Sequence, residues 1–139
     1  MNIIKSIQAA ERKKKERGYE FIYWCIDVHG VILTPTYNLN NEGATFYPYC
    51  LETLQLLSDD SEQKLILWSS SYGPALQGVR EWLTKRDITI HYVNENPDYK
   101  LTDLCDFTHK MYFDVLLDDK AGFEAETDWK IIFNYLTMK

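Results

Sequence analysis

Four short, almost uninterrupted apolar runs constrain the fold of this chain more than any other feature of its sequence. They read FIYWCI, KLILW, ITIHYV and MYFDVLL, at residues 21–26, 64–68, 88–93 and 111–117. A short run that is apolar on both faces is typical of a strand buried between two layers, as in a parallel sheet. The four runs therefore predict four strands of one sheet.

The segments between the runs carry apolar residues at the spacing of amphipathic helices. The predicted helices cover residues 2–18, 49–57, 73–87 and 128–136. Pro74 suits the first turn of the third helix, and Thr127 is a natural N-cap for the fourth. Residues 35–48 are predicted to be loop from their composition. Strands that alternate with helices predict an α/β fold with a central parallel sheet and right-handed crossovers.

A chain of 139 residues is long enough to form one domain with a core of its own. We expect a basic helix at residues 1–18 followed by the domain proper at 19–139. The three cysteines, Cys25, Cys50 and Cys105, are too widely spaced to imply a disulfide framework or a metal site, so a reducing, cytoplasmic location is expected. Neither a secretory signal nor an apolar run of membrane-spanning length is found in the sequence.

The net charge of −6 is unevenly distributed. Residues 1–20 hold six of the 15 basic and three of the 21 acidic residues, which leaves a net charge of −9 on the remainder. An acidic body disfavours nucleic acid as a partner. The basic stretch RKKKER is interpreted as a solvated helix face, with recruitment of a polyanion as the alternative. The other face of this helix, with Ile3, Ile7 and Ala10, is expected to dock on the domain or on a second copy.

Polar residues gather where the predicted strands end. Asp27 and His29 follow the first strand, the three serines 69–71 follow the second, and Asp118 and Asp119 follow the fourth. Ligands of parallel α/β sheets bind beyond the carboxyl ends of the strands. We therefore expect these side chains to surround one site. The four tryptophans, in contrast, are expected to pack in the core; they are Trp24, Trp68, Trp82 and Trp129.

The residue types at this edge suit phosphoryl chemistry. Carboxylates from two separate strands repel one another unless a cation lies between them, and oxygen ligands suit Mg²⁺. A carboxylate can also attack a phosphoryl group and form an aspartyl-phosphate. Hydroxyls and amides at a helix N-terminus favour an anion, and Lys110 can supply positive charge, with Lys100 as the competing lysine.

The ordered set of motifs resembles the haloacid dehalogenase (HAD-like) superfamily of phosphatases and phosphotransferases. CIDVHGVI resembles its first motif, D-x-D-G-x-I, with His29 in place of the second aspartate. LILWSSS resembles the second motif, in which a strand ends at a Ser or Thr, here Ser69. KMYFDVLLDD resembles the third and fourth motifs in tandem. The resemblance covers roughly residues 20–136. It implies a three-layer Rossmann-like fold, sheet order 4-1-2-3, and no cap domain, because the segments between the motifs are too short to hold one.

The resemblance also implies roles for the residues of the first motif. Asp27 would be the nucleophile and a metal ligand. The backbone carbonyl of His29 would bind the metal, and its side chain stands where the family has its general acid/base. An imidazole can transfer a proton near neutral pH, although it lacks the reach and charge of an aspartate.

Roles for the remaining motifs follow in the same way. Ser69, Ser70 and Lys110 would hold the phosphoryl group. Asp118 would bind Mg²⁺ directly, and Asp119 would support it or act through water. The resemblance thus implies a Mg²⁺-dependent phosphohydrolase that acts on a phosphate monoester. The alternative is a catalytically weak relative that serves as a metal- and phosphate-binding or regulatory module.

Overall fold

The computed structural model describes residues 2–36, 38 and 40–139. Its helices are α1 (Ile3–Arg17), α2 (Cys50–Asp59), α3 (Gly73–Thr84) and α4 (Ala125–Thr137). Its strands are β1 (Ile22–Asp27), β2 (Gln63–Trp68), β3 (Tyr92–Val93) and β4 (Val115–Leu117). A short 3₁₀ turn, Asp119–Ala121, follows β4.

The four strands form one parallel sheet in the order β3-β2-β1-β4. Counted from the β4 edge, this is the predicted order 4-1-2-3. The predicted fold class is therefore confirmed: the chain adopts an α/β, Rossmann-like fold. Because β1 lies between β2 and β4, the residues that follow these three strands end up side by side.

One face of the sheet is covered by helices. Ile22, Trp24 and Ile26 of β1 are buried in a core that also contains apolar residues of all four helices. Helix α1 belongs to this core through the face predicted from the sequence, since Ile3, Ile7 and Ala10 are buried. The residues at both ends of α1 are of types that favour helix ends. The Asn2 side chain accepts a hydrogen bond from the Ile4 amide, and Gly18 adopts a left-handed conformation.

The opposite face of β1 is covered near its start by aromatic side chains. Tyr23 is buried there, and its ring meets the rings of Tyr99 and Tyr112 edge to face at centroid distances of 5.5 and 5.9 Å. The Tyr23 hydroxyl donates to Asp98. The irregular segment between β3 and β4 therefore serves as the covering layer at this position.

Several predicted boundaries are wrong, and side-chain hydrogen bonds explain two of them. The fourth strand begins at Val115 instead of Met111 because the carboxylate of Asp114 takes the amide hydrogen of Tyr23, which a strand carbonyl would otherwise accept. The N-cap position of the last helix is Glu124, which makes no side-chain capping bond, and not Thr127. Its start lies earlier because the Asp128 carboxylate accepts the Glu124 amide hydrogen.

Other boundaries shift for backbone reasons. Helix α3 ends at Thr84 instead of Asp87, and Asp87 has a φ of 59°, which is not helical. The predicted third strand is paired only at Tyr92–Val93. The predicted loop 35–48 follows β1 and a short turn and leads into α2. Its residues Tyr37 and Leu39 lie outside the described residues.

Candidate functional site

The first part of the site is the turn after β1. Asp27 is the last residue of this strand, and its Oδ1 accepts the amide hydrogen of Val28 at 2.9 Å. Gly30 then turns the chain with a φ of 89°, a conformation that L side chains rarely adopt. A β-carbon on Gly30 would lie 2.7 Å from Asp119 Oδ2. The sequence D-x-H-G therefore brings the backbone close against a carboxylate from another strand.

Three carboxylates meet at this point. Asp27, Asp118 and Asp119 each place a carboxylate oxygen within 4.8 Å of the others, with Asp27 and Asp118 half-buried and Asp119 exposed. Asp118 is oriented by the Lys120 amide, which donates to its Oδ1 at 2.9 Å. None of the ion pairs formed by the described residues involves these three carboxylates. The sheet order places them together because β1 and β4 are adjacent.

The electrostatics of the cluster favour a cation. The pKa of Asp27 is raised to about 6, first by burial and then by the negative charges of Asp118 and Asp119, while the hydrogen bond from the Val28 amide acts in the opposite direction. A cation among the three groups would remove that repulsion. Because every donor is an oxygen, the set fits Mg²⁺ better than a soft transition metal. Asp27, Asp118 and Asp119 are the side chains that would hold it.

A cavity of about 480 Å³ opens beside the carboxylates. Its lining comes from the carboxyl ends of all four strands, and consists of Asp27, Trp68, Ser69, Ser70, Asn94, Asp118 and Lys120. Ser69 and Ser70, predicted as phosphate ligands, thus lie in the same cavity as the predicted nucleophile. Trp68 is 42% exposed, so its assignment to the core is wrong. Trp24 and Trp129 are buried as expected.

Asn94 is a site residue that the sequence reading missed. Its side-chain oxygen accepts the Ser69 amide hydrogen at 2.8 Å, and its side-chain nitrogen donates to the Ser69 carbonyl at 2.8 Å. This pair of bonds fixes the backbone of the serine turn. The signal was present, because Asn94 directly follows β3 and so occupies the same edge as the other polar residues.

The positive charge in the cavity comes from a different lysine than expected. Lys110 is exposed in the segment before β4 and does not contribute to the lining, whereas Lys120 does. Lys100 is also exposed and lies outside the lining. The structure therefore places Lys120, and not Lys110, in the cavity lining, and the phosphate-binding role of Lys110 stays a prediction. Lys120 directly follows the two aspartates, so its position at the strand end is the signal that could have found it.

His29 faces away from the carboxylate cavity. Its Nε2 lies 2.5 Å from Oδ1 of Asn41, a residue that is 4% exposed and has a φ of 60°. The side chain lines a second cavity, in which Asp27 takes no part. Although only one residue separates Asp27 from His29, their side chains therefore line two different, neighbouring cavities.

Comparison with solved structures supports the fold. The structure of a conserved protein coded by a locus of Bacteroides thetaiotaomicron is 26% identical in sequence and superimposes with a TM-score of 0.60. The match covers 85% of this chain and 91% of that one. A weaker likeness is to the Pnkp1/Rnl/Hen1 complex, with 17% identity, a TM-score of 0.44, and coverage of 68% of this chain and 37% of that chain. This second likeness is too low to support any argument.

No protein-family model and no curated protein matches the sequence. The relationship to the Bacteroides protein therefore rests on the three-dimensional match. Among the described residues, no helix is long and apolar enough to cross a membrane.

Proposed function

We propose that this chain is a capless HAD-like phosphohydrolase that uses Mg²⁺ and acts on a phosphate monoester through an aspartyl-phosphate intermediate. The observation that carries the proposal is the convergence of three strand ends on one cavity. These ends supply the carboxylates of Asp27 and Asp118, the serine turn at Ser69, and the charge of Lys120.

Asp27 is the group that would attack phosphorus. Its carboxylate is oriented by the Val28 amide, and burial beside two other acids disfavours its charge. Mg²⁺ supplies positive charge that keeps the carboxylates ionised and attracts the phosphoryl oxygens. In the first step a bond forms between an Asp27 oxygen and phosphorus while the bond to the leaving oxygen breaks, and that oxygen takes up a proton from water. Water then hydrolyses the aspartyl-phosphate and releases inorganic phosphate.

The phosphoryl group would be held on the side opposite the acids. Ser69 and Ser70 offer their hydroxyls, Ser70 also offers its amide next to the start of α3, and Lys120 offers a cation. Asn94 holds the serine turn through the Ser69 backbone, which makes it a positioning residue. Donors fixed in advance in this way stabilise the charge that develops on a phosphoryl group in transfer.

One observation favours the second candidate, a catalytically weak metal- and phosphate-binding module. The group in the family's acid/base position is an imidazole bonded to Asn41, outside the cavity that contains Asp27. A missing or displaced general acid costs roughly 10²–10⁴ in rate. The two candidates therefore share the binding site and differ in turnover.

The experiment that tests the proposal combines Mg²⁺ binding with turnover. Wild type should bind Mg²⁺ in calorimetry and release phosphate from an aryl phosphate only when Mg²⁺ is present. Asp118→Asn should lose both properties. Asp59→Asn is the matched control, because Asp59 is exposed at the end of α2, outside the cavity lining. Undiminished Mg²⁺ affinity in Asp118→Asn would refute the metal site, and Mg²⁺ binding without turnover would favour the second candidate.

A further inference from the structure

A second cavity of about 280 Å³ adjoins the one that contains the carboxylates. Ser70 lines both, so the two spaces meet at the serine turn. The volume is several times the roughly 30 Å³ that one water molecule occupies in the liquid. This space is therefore large enough for a chemical group attached to a phosphate held beside Asp27.

The lining of the second cavity is polar but almost free of charge. Hydroxyls come from Thr36, Ser70 and Ser71, and amides come from Asn38 and Asn41. His29 is the sole titratable side chain among the described lining residues, apart from the phenol of Tyr72. An ionised group that enters such a space loses hydration without gaining an opposite charge. The lining therefore selects a neutral ligand that both donates and accepts hydrogen bonds.

Thr36 gives an independent indication of a ligand. Its Oγ1 is buried and, among the described residues, has no hydrogen-bond partner. A buried polar atom left unpaired is costly, and most such atoms in folded proteins are satisfied. A hydroxyl of a ligand in this cavity would supply the missing partner.

Tyr72 adds an aromatic surface at the entrance. Its side chain lines the cavity and is 75% exposed, so its ring is available to a ligand. Sugars and related polyols have hydroxyls around their edge and carbon-bound hydrogens on their faces, and aromatic rings pack against such faces while the hydroxyls bond to polar neighbours. The combination of neutral hydroxyls, amides and one exposed ring matches that chemistry.

We infer that the second cavity is the leaving-group subsite and that it takes a neutral, hydroxylated group, which makes the substrate a sugar or polyol phosphate. This inference rests on the proposed phosphohydrolase function.

The test uses the full chain with saturating Mg²⁺. The specificity constant kcat/KM is measured for a hexose phosphate, a linear polyol phosphate, a nucleoside monophosphate, a phosphoserine peptide and an aryl phosphate. We expect the hexose and polyol phosphates to exceed the nucleotide and the peptide by at least about tenfold. Thr36→Val, which removes the unpaired hydroxyl at constant shape, should lower kcat/KM for the preferred ester roughly 3- to 10-fold. Tyr72→Ala should lower it by a similar factor, and Tyr72→Phe by less.

Thr89→Val is the matched control for Thr36→Val. Thr89 is exposed, lies outside the cavity, and uses only its backbone amide in a hydrogen bond, so all rates should stay at wild-type values. Calorimetry with Mg²⁺ and with inorganic phosphate separates the two proposals. If both bind but nucleotide or phosphopeptide is the preferred ester, the neutral subsite is refuted and the phosphohydrolase stands. If neither binds, the phosphohydrolase proposal fails and this inference fails with it.

Discussion

Gly30 lies directly against the carboxylate of Asp119, so that a β-carbon at position 30 would be 2.7 Å from Asp119 Oδ2 and 3.0 Å from its Cγ. This contact joins the turn after β1 to the turn after β4. It is possible only because residue 30 has no side chain and tolerates a φ of 89°. The spacing of the acidic cluster therefore depends on a glycine.

Gly30→Ala should destabilise the fold and also weaken Mg²⁺ binding, because the added methyl group must displace Asp119. Gly43→Ala is a control for the backbone alone, since Gly43 has a similar φ of 84° but nothing within 4 Å of the position its β-carbon would take. We expect both changes to cost about 1 kcal/mol, because the exposed Asp119 side chain can rotate away from the added methyl group, and we expect only Gly30→Ala to weaken Mg²⁺ binding. Chemical denaturation and calorimetry measure the two effects, and unchanged Mg²⁺ affinity in Gly30→Ala would contradict the contact.

Asp27→Asn should raise stability in metal-free buffer at pH 7 by about 1 kcal/mol, after allowance for solvent screening of a half-buried group. Burial and the charges of Asp118 and Asp119 together raise the pKa of Asp27 to about 6, so its ionised form is disfavoured in the folded state. Asparagine removes the charge and keeps an oxygen for the Val28 amide. Thermal melts should show the gain, and Asp59→Asn should show none. A marked loss would identify a structural aspartate.

His29→Asp should raise turnover if the imidazole is a poor substitute for the aspartate that stands at this position in the HAD-like motif it resembles. The gain should be larger for an alkyl phosphate than for an aryl phosphate, because a poor leaving group needs the proton more, and a general acid is worth roughly 10²–10⁴-fold. If His29 already serves the true substrate, wild type should turn over and His29→Asp should lower its rate.

His109→Asp is the matched control for that exchange, since His109 is exposed and outside both cavities. It should leave rates and pH profile unchanged. Inactivity of wild type and His29→Asp on every ester, with normal Mg²⁺ binding, would contradict the catalytic reading and favour the binding module.

His91 should make the fold sensitive to mild acid. Burial lowers its pKa from the ordinary 6.5, and the positive charges of Lys64 and Arg80 lower it further, while Asp98 acts in the opposite direction. Its Nδ1 accepts the Leu65 amide hydrogen at 3.0 Å, which a proton on that nitrogen would prevent. Below pH 6.5 the unfolded chain binds the proton more readily than the folded one, so this stability is present above pH 6.5 and is lost as the pH falls through the lowered value.

His91→Asn should remove that part of the acid dependence, because Asn offers an oxygen near the position of Nδ1 and does not titrate. The free energy of unfolding, measured by denaturant from pH 7.5 down to pH 5, should fall less steeply in the variant than in wild type. Parallel slopes would show that His91 does not carry the effect. His109→Asn, at an exposed position, should retain the wild-type slope.

Local pattern was enough to predict the alternation of strands and helices, the buried face of α1 and the residues that follow β1, β2 and β4. A continuous apolar run such as residues 21–26 is stable in a strand only if both faces of the strand are buried. This requirement already implies a parallel sheet with both faces covered. The expected order 4-1-2-3 came from the family resemblance, and the structure confirms it. Asp27, Ser69, Ser70 and Asp118 were correctly expected at one edge, because chain direction fixes which end of a parallel strand they occupy.

Tertiary structure alone decided the details that depend on distant side chains. The Asp114 carboxylate accepts the amide hydrogen of Tyr23, 91 residues away in sequence, so that β4 begins only after Asp114. Asn94, which follows the neighbouring strand, holds the Ser69 backbone. Two further details depend on the tertiary structure in the same way. Lys120, and not Lys110, lines the cavity, and the His29 side chain contacts Asn41. Sequence spacing determines which edge of the sheet a residue reaches, whereas the direction of its side chain is set by hydrogen-bond partners and free space that the folded chain supplies.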